Sequence, residues 1–277
     1  MKHRYIFIPG AAKSGTTSLA NDMAHHEAVC VSSEKEPDYF ARFFDKGEAW
    51  YETQFEDKSA PVRLDASTSY MAGFGGSCKA YLMRIKEFAP DAKFIFVVRE
   101  PIARTWSSYW HAIRGGYEPL SFEDAIALNE SPHLEPSLYY SRLVEFLEVF
   151  DAEQILIINF DEYKLQREKV LQRIAAFTEL EGEFVIPEQK TANESFQWSG
   201  VGKVVRFIPM PVLKKATSLV KSLVPQSLFQ LIKKAMSKPT PKISQTQVEL
   251  VKSRVLDDVI KFEQKTGISL RTGTHWQ

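Results

Sequence analysis

The sequence predicts an α/β fold in which a central parallel sheet is covered by helices on both faces, giving three layers. Short, nearly continuous apolar segments, typical of fully buried strands, alternate along the chain with segments of helical periodicity. The chain has 277 residues, of which 44% are hydrophobic and 25% charged, enough for one globular core. We therefore predict a single domain over 1–277, closed by a C-terminal helical segment.

The segments "YIFIPG" and "KFIFVVRE" carry the clearest strand signals, because both are short, rich in β-prone residues and ended by a turn or a proline. The predicted strands cover about 5–10, 29–31, 61–67, 93–100 and 154–160. The predicted helices cover about 15–25, 101–114, 121–128, 137–150 and 164–177. Pro101 suits the first turn of a helix, where its missing N–H is not needed, and Gly115-Gly116 would end that helix.

Composition excludes few functions. The chain carries 35 basic and 35 acidic residues, so its overall charge predicts no partner, and we expect no nucleic-acid partner. Cys30 and Cys78 are not spaced as metal ligands, and we expect two buried thiols. The first strand follows the first residue almost directly, and no apolar segment approaches the ~18–20 residues of a membrane span. On these grounds we expect a cytoplasmic protein.

The segment "FIPGAAKSGTTSLAND" (7–22) has the layout of a phosphate-binding loop, in which a strand, small residues and a helix follow each other. Gly10 and Gly15 have the spacing of the nucleoside-triphosphate motif, but Thr16 stands where that motif has its lysine. The lysine lies three residues earlier, at Lys13, and would be aimed at a group beyond the phosphate. A tight strand-to-helix turn capped by hydroxyls is the structural alternative.

A second anion site is predicted where the strongest strand ends. In "FIFVVREPIARTWSSYW", Arg99 ends the strand and Ser107 lies about two turns into the following helix. A guanidinium and a hydroxyl can converge on one phosphate. Alternatively, Arg99 caps the strand and pairs with Glu100 or Asp124. Arg104 should be more exposed, and we interpret it as structural or solvated.

Together the two segments resemble the sulfotransferases that use 3′-phosphoadenosine 5′-phosphosulfate (PAPS), whose fold is similar to that of the P-loop nucleotide-binding proteins. The resemblance covers nearly the whole chain. It implies that the first loop binds the 5′-phosphate, that Arg99 and Ser107 bind the 3′-phosphate, and that no metal is required. The implied loop residues are Lys13, Ser14, Gly15, Thr16, Thr17 and Ser18, with Lys13 also catalytic.

The segment "KEPDYF" (35–40) is similar to an element of the family members that act on glycans, including the heparan sulfate enzymes. The resemblance implies that Glu36 is the general base that deprotonates an acceptor hydroxyl or amine, and that the acceptor is a carbohydrate or glycolipid. Without it, a solvated Lys–Glu pair would be the better interpretation. Ala66 stands where glycan enzymes often have a second lysine, so the acceptor pocket should differ. His111, four residues after Ser107 on the same helix face, is a candidate for the border of that pocket.

Residues 195–248 contain no acidic residue and nine basic ones, and we predict a helical insertion or lid there. Within 203–240 apolar and basic residues alternate at helical spacing, interrupted by prolines. Four interpretations stay open: peripheral contact with an anionic membrane, a wall for a polyanionic or lipid-linked acceptor, a lid that places Lys203 or Arg206 on the donor phosphates, and ordinary amphipathic helices.

Two other functions fit parts of the sequence. A P-loop kinase would need a lysine after Gly15, and Thr16 argues against it. A non-catalytic, membrane-attached protein on the same scaffold would not need the combination of Glu36, Lys13 and Arg99.

Overall fold

The computed structural model describes residues 3–73, 76–182, 184–185, 196–198 and 237–276. Within these ranges five parallel strands form one sheet in the order β2-β3-β1-β4-β5, and helices pack on both faces. The predicted α/β fold with a central parallel sheet is confirmed. The strands are β1 Arg4–Gly10, β2 Val29–Val31, β3 Val62–Asp65, β4 Lys93–Val98 and β5 Ile155–Asn159.

Helices connect the strands and close the described chain. Those between β1 and β4 are α1 Thr16–Met23, α2 Tyr39–Arg42, α3 Gly47–Thr53, α4 Ser69–Ala72 and α5 Lys79–Phe88. Those after β4 are α6 Pro101–Gly115, α7 Phe122–Ala127, α8 Tyr139–Leu147, α9 Phe160–Leu165, α10 Arg167–Thr178 and α11 Gln245–Thr266.

Both faces of the sheet are buried, which explains the nearly continuous apolar strands. Phe94, Phe96 and Val98 of β4 point into one hydrophobic core, while Ile95 and Val97 point into the other. The first core also holds residues of α5, α6, α8 and α11, and the second holds residues of α1 and α10. The central strands therefore form a rigid platform for the loops at their ends.

The strand order creates a crevice. After β1 the chain leads to β2 on one side of the sheet, and after β4 it leads to β5 on the other side. The carboxyl ends of β1 and β4, which are neighbours, therefore lie at the point where the connections diverge. In open α/β sheets this is where ligands bind.

Helix α6 begins and ends as the sequence predicts. The Glu100 side chain accepts hydrogen bonds from the backbone N–H groups of Ile102 (2.8 Å) and Ala103 (2.6 Å), which caps the helix ahead of Pro101. The helix ends at Gly115, followed by Gly116 in the left-handed conformation (φ 73°). This fixed start matters because α6 follows Arg99 directly.

The predicted single helix over 164–177 is wrong in its start. The structure has α9 and α10, separated at Gln166, whose backbone (φ −133°, ψ 48°) is not helical. Asn159 caps α9 by accepting a hydrogen bond from the N–H of Asp161 at 2.8 Å, so this helix begins directly after β5. Phe160, its first residue, is thereby placed beside the phosphate loop.

The basic segment 195–248 lies largely outside the described residues, as do Lys203, Arg206 and all but the last four residues of 203–240. Its two described ends pair as antiparallel strands, β6 Phe196–Trp198 and β7 Ser237–Pro239, which the sequence did not predict. Among the described helices, none has the length and apolar character needed to cross a membrane.

Candidate active site

The two predicted phosphate motifs meet at the crevice between β1 and β4. Nη1 of Arg99, at the end of β4, donates a hydrogen bond to the backbone carbonyl of Lys13 at 3.0 Å. The backbone N–H of Ala11 bonds to the Val97 carbonyl at 2.9 Å. The loop after β1 is therefore tied to the end of β4 by main chain and side chain.

The loop backbone takes a shape that depends on Gly15. Lys13 (φ 70°) and Gly15 (φ 84°) both have left-handed backbones, and α1 begins at Thr16 without a side-chain cap. A Cβ on Gly15 would lie 2.4 Å from Cε2 of Phe160, so the position also needs a residue without a side chain. The uncapped N–H groups at the start of α1 are the kind of donors that bind a phosphate.

The hydroxyls of the loop differ in their surroundings. Ser14 is fully buried, and its Oγ has no hydrogen-bond partner among the described residues, although it lies near the Tyr139 hydroxyl. An unpaired buried hydroxyl costs free energy unless a ligand satisfies it. Thr16 is buried, Thr17 is half-buried and Ser18 is exposed. The loop thus fits an anionic phosphate group at Ser14 and the start of α1.

Lys13 lies among other cations. Its Nζ is 3.4 Å from Nδ1 of His111, on α6. Partial burial, followed by the charges of Arg114, Lys35, Arg99 and Arg104, lowers the pKa of Lys13 to about 8. An anion placed in the crevice would relieve this repulsion and keep the ammonium charged.

His111 belongs to the same group of charges. Partial burial of its ring, with the charges of Lys13, Arg114 and Lys35, lowers the pKa of His111 to about 4, while Glu36 opposes the shift. His111 as a whole residue is exposed, but the repulsion from the nearby cations is by itself enough to lower the pKa of its imidazole. Its Nδ1 faces both Lys13 and Arg114 Nη2, each at 3.4 Å, so Nδ1 acts as the acceptor. The structure therefore places His111 beside Lys13, and its position at the border of an acceptor pocket stays a prediction.

Arg99 and Ser107 lie on consecutive elements but do not contact each other directly. Burial lowers the pKa of Arg99, whose guanidinium lies 5.3 Å from the centre of the Phe160 ring. Ser107 is half-buried on α6, and its hydroxyl forms no hydrogen bond within the described part of the chain. The alternative in which Arg99 pairs with Asp124 is not what the structure shows, because its guanidinium bonds to the loop.

The expected exposure of Arg104 is wrong, and of the two interpretations, structural or solvated, the solvated one is excluded. Its side chain is fully buried rather than exposed. Its guanidinium donates to the backbone carbonyls of Ala12 (3.2 Å) and His133 and to the hydroxyl of Ser137. Arg104 lies on the face of α6 that packs against the phosphate loop. There, main-chain carbonyls instead of water accept the hydrogen bonds of its guanidinium.

Glu36 is held between two side chains. Its Oε1 lies 3.0 Å from Nζ of Lys35, and its Oε2 accepts a hydrogen bond from Oγ1 of Thr68 at 3.0 Å. Its negative charge opposes the lowering of the His111 pKa, so the carboxylate lies within electrostatic range of that ring. Thr68 was not predicted from the sequence, although it lies only two residues after Ala66, which the comparison with glycan enzymes singled out.

The buried carboxylate of Asp65 anchors the segment that carries Glu36 through a network of hydrogen bonds. Asp65, at the end of β3, accepts hydrogen bonds from the hydroxyls of Tyr51 (3.0 Å), Tyr70 (2.8 Å) and Ser67 (2.5 Å). Ser67 in turn accepts a bond from the N–H of Asp38 at 2.9 Å. Complete burial raises the pKa of Asp65 to about 6. This network fixes the loop after β2 against the end of β3.

Comparison with known proteins supports one family. A model of the sulfotransferase domain matches residues 3–197. Mouse heparan sulfate glucosamine 3-O-sulfotransferase 3B1 is 26% identical over 179 residues, 61% of this chain and 44% of that protein. Bifunctional heparan sulfate N-deacetylase/N-sulfotransferase 1 of Caenorhabditis briggsae is 24% identical over 198 residues, 63% of this chain and 22% of that protein. The chain spans less than half the length of these relatives.

The fold is also found among solved structures. The crystal structure of a sulfotransferase from Alicyclobacillus acidocaldarius superposes with a TM-score of 0.70 and 19% identity, covering 98% of this chain and all of that one. The region matched by the domain model is most of the chain and contains each of the candidate site residues. The chain therefore belongs to the sulfotransferase domain family.

Proposed function

We propose that the protein transfers a sulfuryl group from PAPS to a hydroxyl or amine of a carbohydrate or glycolipid. The observation that carries this proposal is the contact between Arg99 and the Lys13 carbonyl. It brings two cationic anion-binding motifs to one crevice, as a donor with phosphates at both its 3′ and 5′ positions would require.

The residues of the crevice suit the two phosphates in different ways. The 5′-phosphate would lie at the start of α1, where Ser14, Gly15, Thr16 and Thr17 offer backbone N–H groups and hydroxyls, with Ser18 at the edge. The 3′-phosphate would be held by Arg99 with Ser107, whose hydroxyl is free to turn. Phe160 lies against Gly15 and below Arg99, and so closes the crevice on the β5 side.

When bound, the donor supplies a sulfuryl group that leaves its bridging phosphate oxygen as the acceptor oxygen or nitrogen bonds to sulfur. Glu36 takes the acceptor proton, and Thr68 and Lys35 hold its two carboxylate oxygens in place for that step. Lys13 stabilises the negative charge that develops on the bridging oxygen. His111 accepts a hydrogen bond from Lys13 and keeps the ammonium directed into the crevice.

The acceptor is proposed from the relatives. Two of them are named for sulfation of heparan sulfate, one at an oxygen and one at a nitrogen. The cations Lys35 and Arg114 beside Lys13 would attract an anionic glycan. Peripheral membrane contact through 203–240, the cytoplasmic location and the absence of a required metal stay predictions.

A kinase is the second candidate. It would place a lysine after Gly15, whereas Thr16 begins α1 there. A non-catalytic scaffold would not need the hydrogen bonds that orient Glu36.

The proposal is tested by a transfer assay. Purified protein is incubated with PAPS carrying ³⁵S and with unsulfated, N-acetylated or N-deacetylated heparan-type polysaccharide, with chondroitin as a second acceptor. We expect label in at least one polysaccharide with the wild type and a loss of label with Glu36→Gln. Phosphate transfer from ATP with magnesium, and no sulfuryl transfer, would support the kinase instead.

A further inference from the structure

Arg104 is a buried cation whose contacts are all uncharged. Besides the carbonyls of Ala12 and His133 and the hydroxyl of Ser137, its guanidinium lies 3.5 Å from the hydroxyl of Thr105. Across the described ranges no carboxylate forms an ion pair with it. A buried charge without a partner of opposite sign is unfavourable, so an arginine held in this way needs an explanation.

The surroundings of Arg104 raise that cost further. Burial, and then repulsion by Arg99, lowers the pKa of Arg104 to about 10, and Arg104 in turn disfavours the charge on Lys13. Three cations, Arg99, Arg104 and Lys13, thus lie around one loop. Ser14, the next residue of that loop, has a buried hydroxyl that lies near the Tyr139 hydroxyl but has no partner at hydrogen-bond geometry among the described residues. Both observations point to an anion that is part of the functional state.

We propose that Arg104 is a positioning residue for the donor's 5′-phosphate, which it favours through its buried charge and through its hydrogen bond to the Ala12 carbonyl. This inference rests on the proposed function and adds a residue to it. Arg104 acts through the loop rather than by touching the phosphate. The negative phosphate offsets the repulsion among the three cations. The hydrogen bond from Arg104 to the Ala12 carbonyl fixes the position of the loop relative to α6.

The link extends beyond the helix. The imidazole of His133, whose carbonyl accepts from Arg104, is itself held by Glu118 (Nε2 to Oε2, 2.6 Å) and by the Ser108 hydroxyl (3.2 Å from Nδ1). All of these groups are buried or half-buried. The Arg104 guanidinium is therefore held on one side by the connection after α6 and contacts the phosphate loop on the other.

Calorimetry separates the two phosphates. Wild type and Arg104→Met are titrated with 3′-phosphoadenosine 5′-phosphate (PAP), and adenosine 5′-phosphate and adenosine 3′-phosphate are measured as competitors. We expect Arg104→Met to weaken the binding of PAP and of adenosine 5′-phosphate by about 10- to 100-fold, because the variant loses both a buried positive charge near the anion and the hydrogen bond that holds the loop. The affinity for adenosine 3′-phosphate should change by less than about threefold, because Arg99, which we propose holds that phosphate, is still present.

Two further variants control the result. Arg254→Met removes a guanidinium that also bonds to two backbone carbonyls, those of Ile126 and Leu128, and should leave PAP affinity unchanged. Arg104→Lys keeps the charge with fewer hydrogen bonds and should recover most of the lost affinity. If Arg104→Met does not fold, the PAP affinity of Arg104→Lys relative to the wild type tests the inference instead.

The outcomes are distinct. If the wild type does not bind PAP, the proposed function itself fails. If the wild type binds PAP but Arg104→Met binds it equally well, or weakens both monophosphates alike, Arg104 is not specific for the 5′-phosphate. If Arg104→Lys is folded and binds as poorly as Arg104→Met, the charge has no role and the inference is overturned.

Discussion

Nζ of Lys13 lies 3.4 Å from Nδ1 of His111, which connects the phosphate loop to the middle of α6. The lysine precedes α1, and the histidine follows Ser107 by one helical turn. Together with the hydrogen bond from Arg99 to the Lys13 carbonyl, this contact joins the two motifs that were predicted separately from the sequence. The same histidine lies within the electrostatic reach of Glu36, so donor and acceptor chemistry are proposed to share one crevice.

Donor affinity should fall as pH rises through 8. The pKa of Lys13 is lowered to about 8, so its ammonium is charged below that pH and loses its proton above it. We expect PAP affinity to be flat near pH 7 and to decline between about pH 7.5 and 9. Isothermal titration across this range measures it. Lys13→Arg, which stays charged, should remove the decline; an equal decline in that variant would assign it to another group.

Glu36→Gln should abolish transfer without affecting donor binding. The amide cannot take a proton, and loss of a general base typically lowers kcat by about 10²- to 10⁴-fold. PAP affinity, measured by calorimetry, should stay within about twofold, because Glu36 contacts Lys35 and Thr68 rather than the phosphate loop. Glu34→Gln, an exposed neighbour, is the matched control. Full activity in Glu36→Gln would eliminate Glu36 as the base.

Thr68→Val should lower kcat by about 3- to 30-fold, since the variant keeps the shape of the side chain but loses the hydrogen bond that orients Glu36. Thr68→Ser retains the hydroxyl and should restore most of the rate. Steady-state kinetics with both variants provide the comparison. A loss that serine does not rescue would mean that Thr68 acts through packing alone.

Gly15→Ala should destabilise the loop more than a left-handed backbone by itself would. The new Cβ meets both a φ of 84° and the Phe160 ring at 2.4 Å, for which we expect about 1–3 kcal/mol or more of lost unfolding free energy. Gly267→Ala is the control, because Gly267 has the same left-handed backbone (φ 71°, ψ 3°) but open space around it. Urea unfolding measures both. Equal losses at the two sites would show that the Phe160 contact is unimportant.

The positions of Lys13 and Arg99 could be predicted because Arg99 directly follows an apolar strand and Lys13 lies three residues after the end of another. A parallel sheet brings the carboxyl ends of its strands to one edge, so residues at strand ends are placed once the strands are recognised. Helix α6 was predictable for a similar reason, because Pro101 and Gly115-Gly116 mark its ends. These local signals agree with the tertiary structure.

Arg104 and Thr68 could not be placed in the same way. Arginine within a helix is ordinarily exposed, and Arg104 is buried because the phosphate loop and the segment with His133 and Ser137 pack around it. Thr68 meets Glu36 because β2 and β3 are neighbours, a pairing that the sequence does not state. Helix α5 was missed despite its regular spacing of Leu82 and Ile85. The basic segment 203–240 remains a prediction.

The most direct measurement is calorimetric titration with PAP and, separately, with ATP and magnesium, for wild type and Arg99→Ala. We expect micromolar binding of PAP by the wild type, a large loss of that affinity in Arg99→Ala, and no comparable binding of ATP. Tight ATP binding without a preference for PAP would contradict it, and the loop around Lys13 would then belong to a kinase.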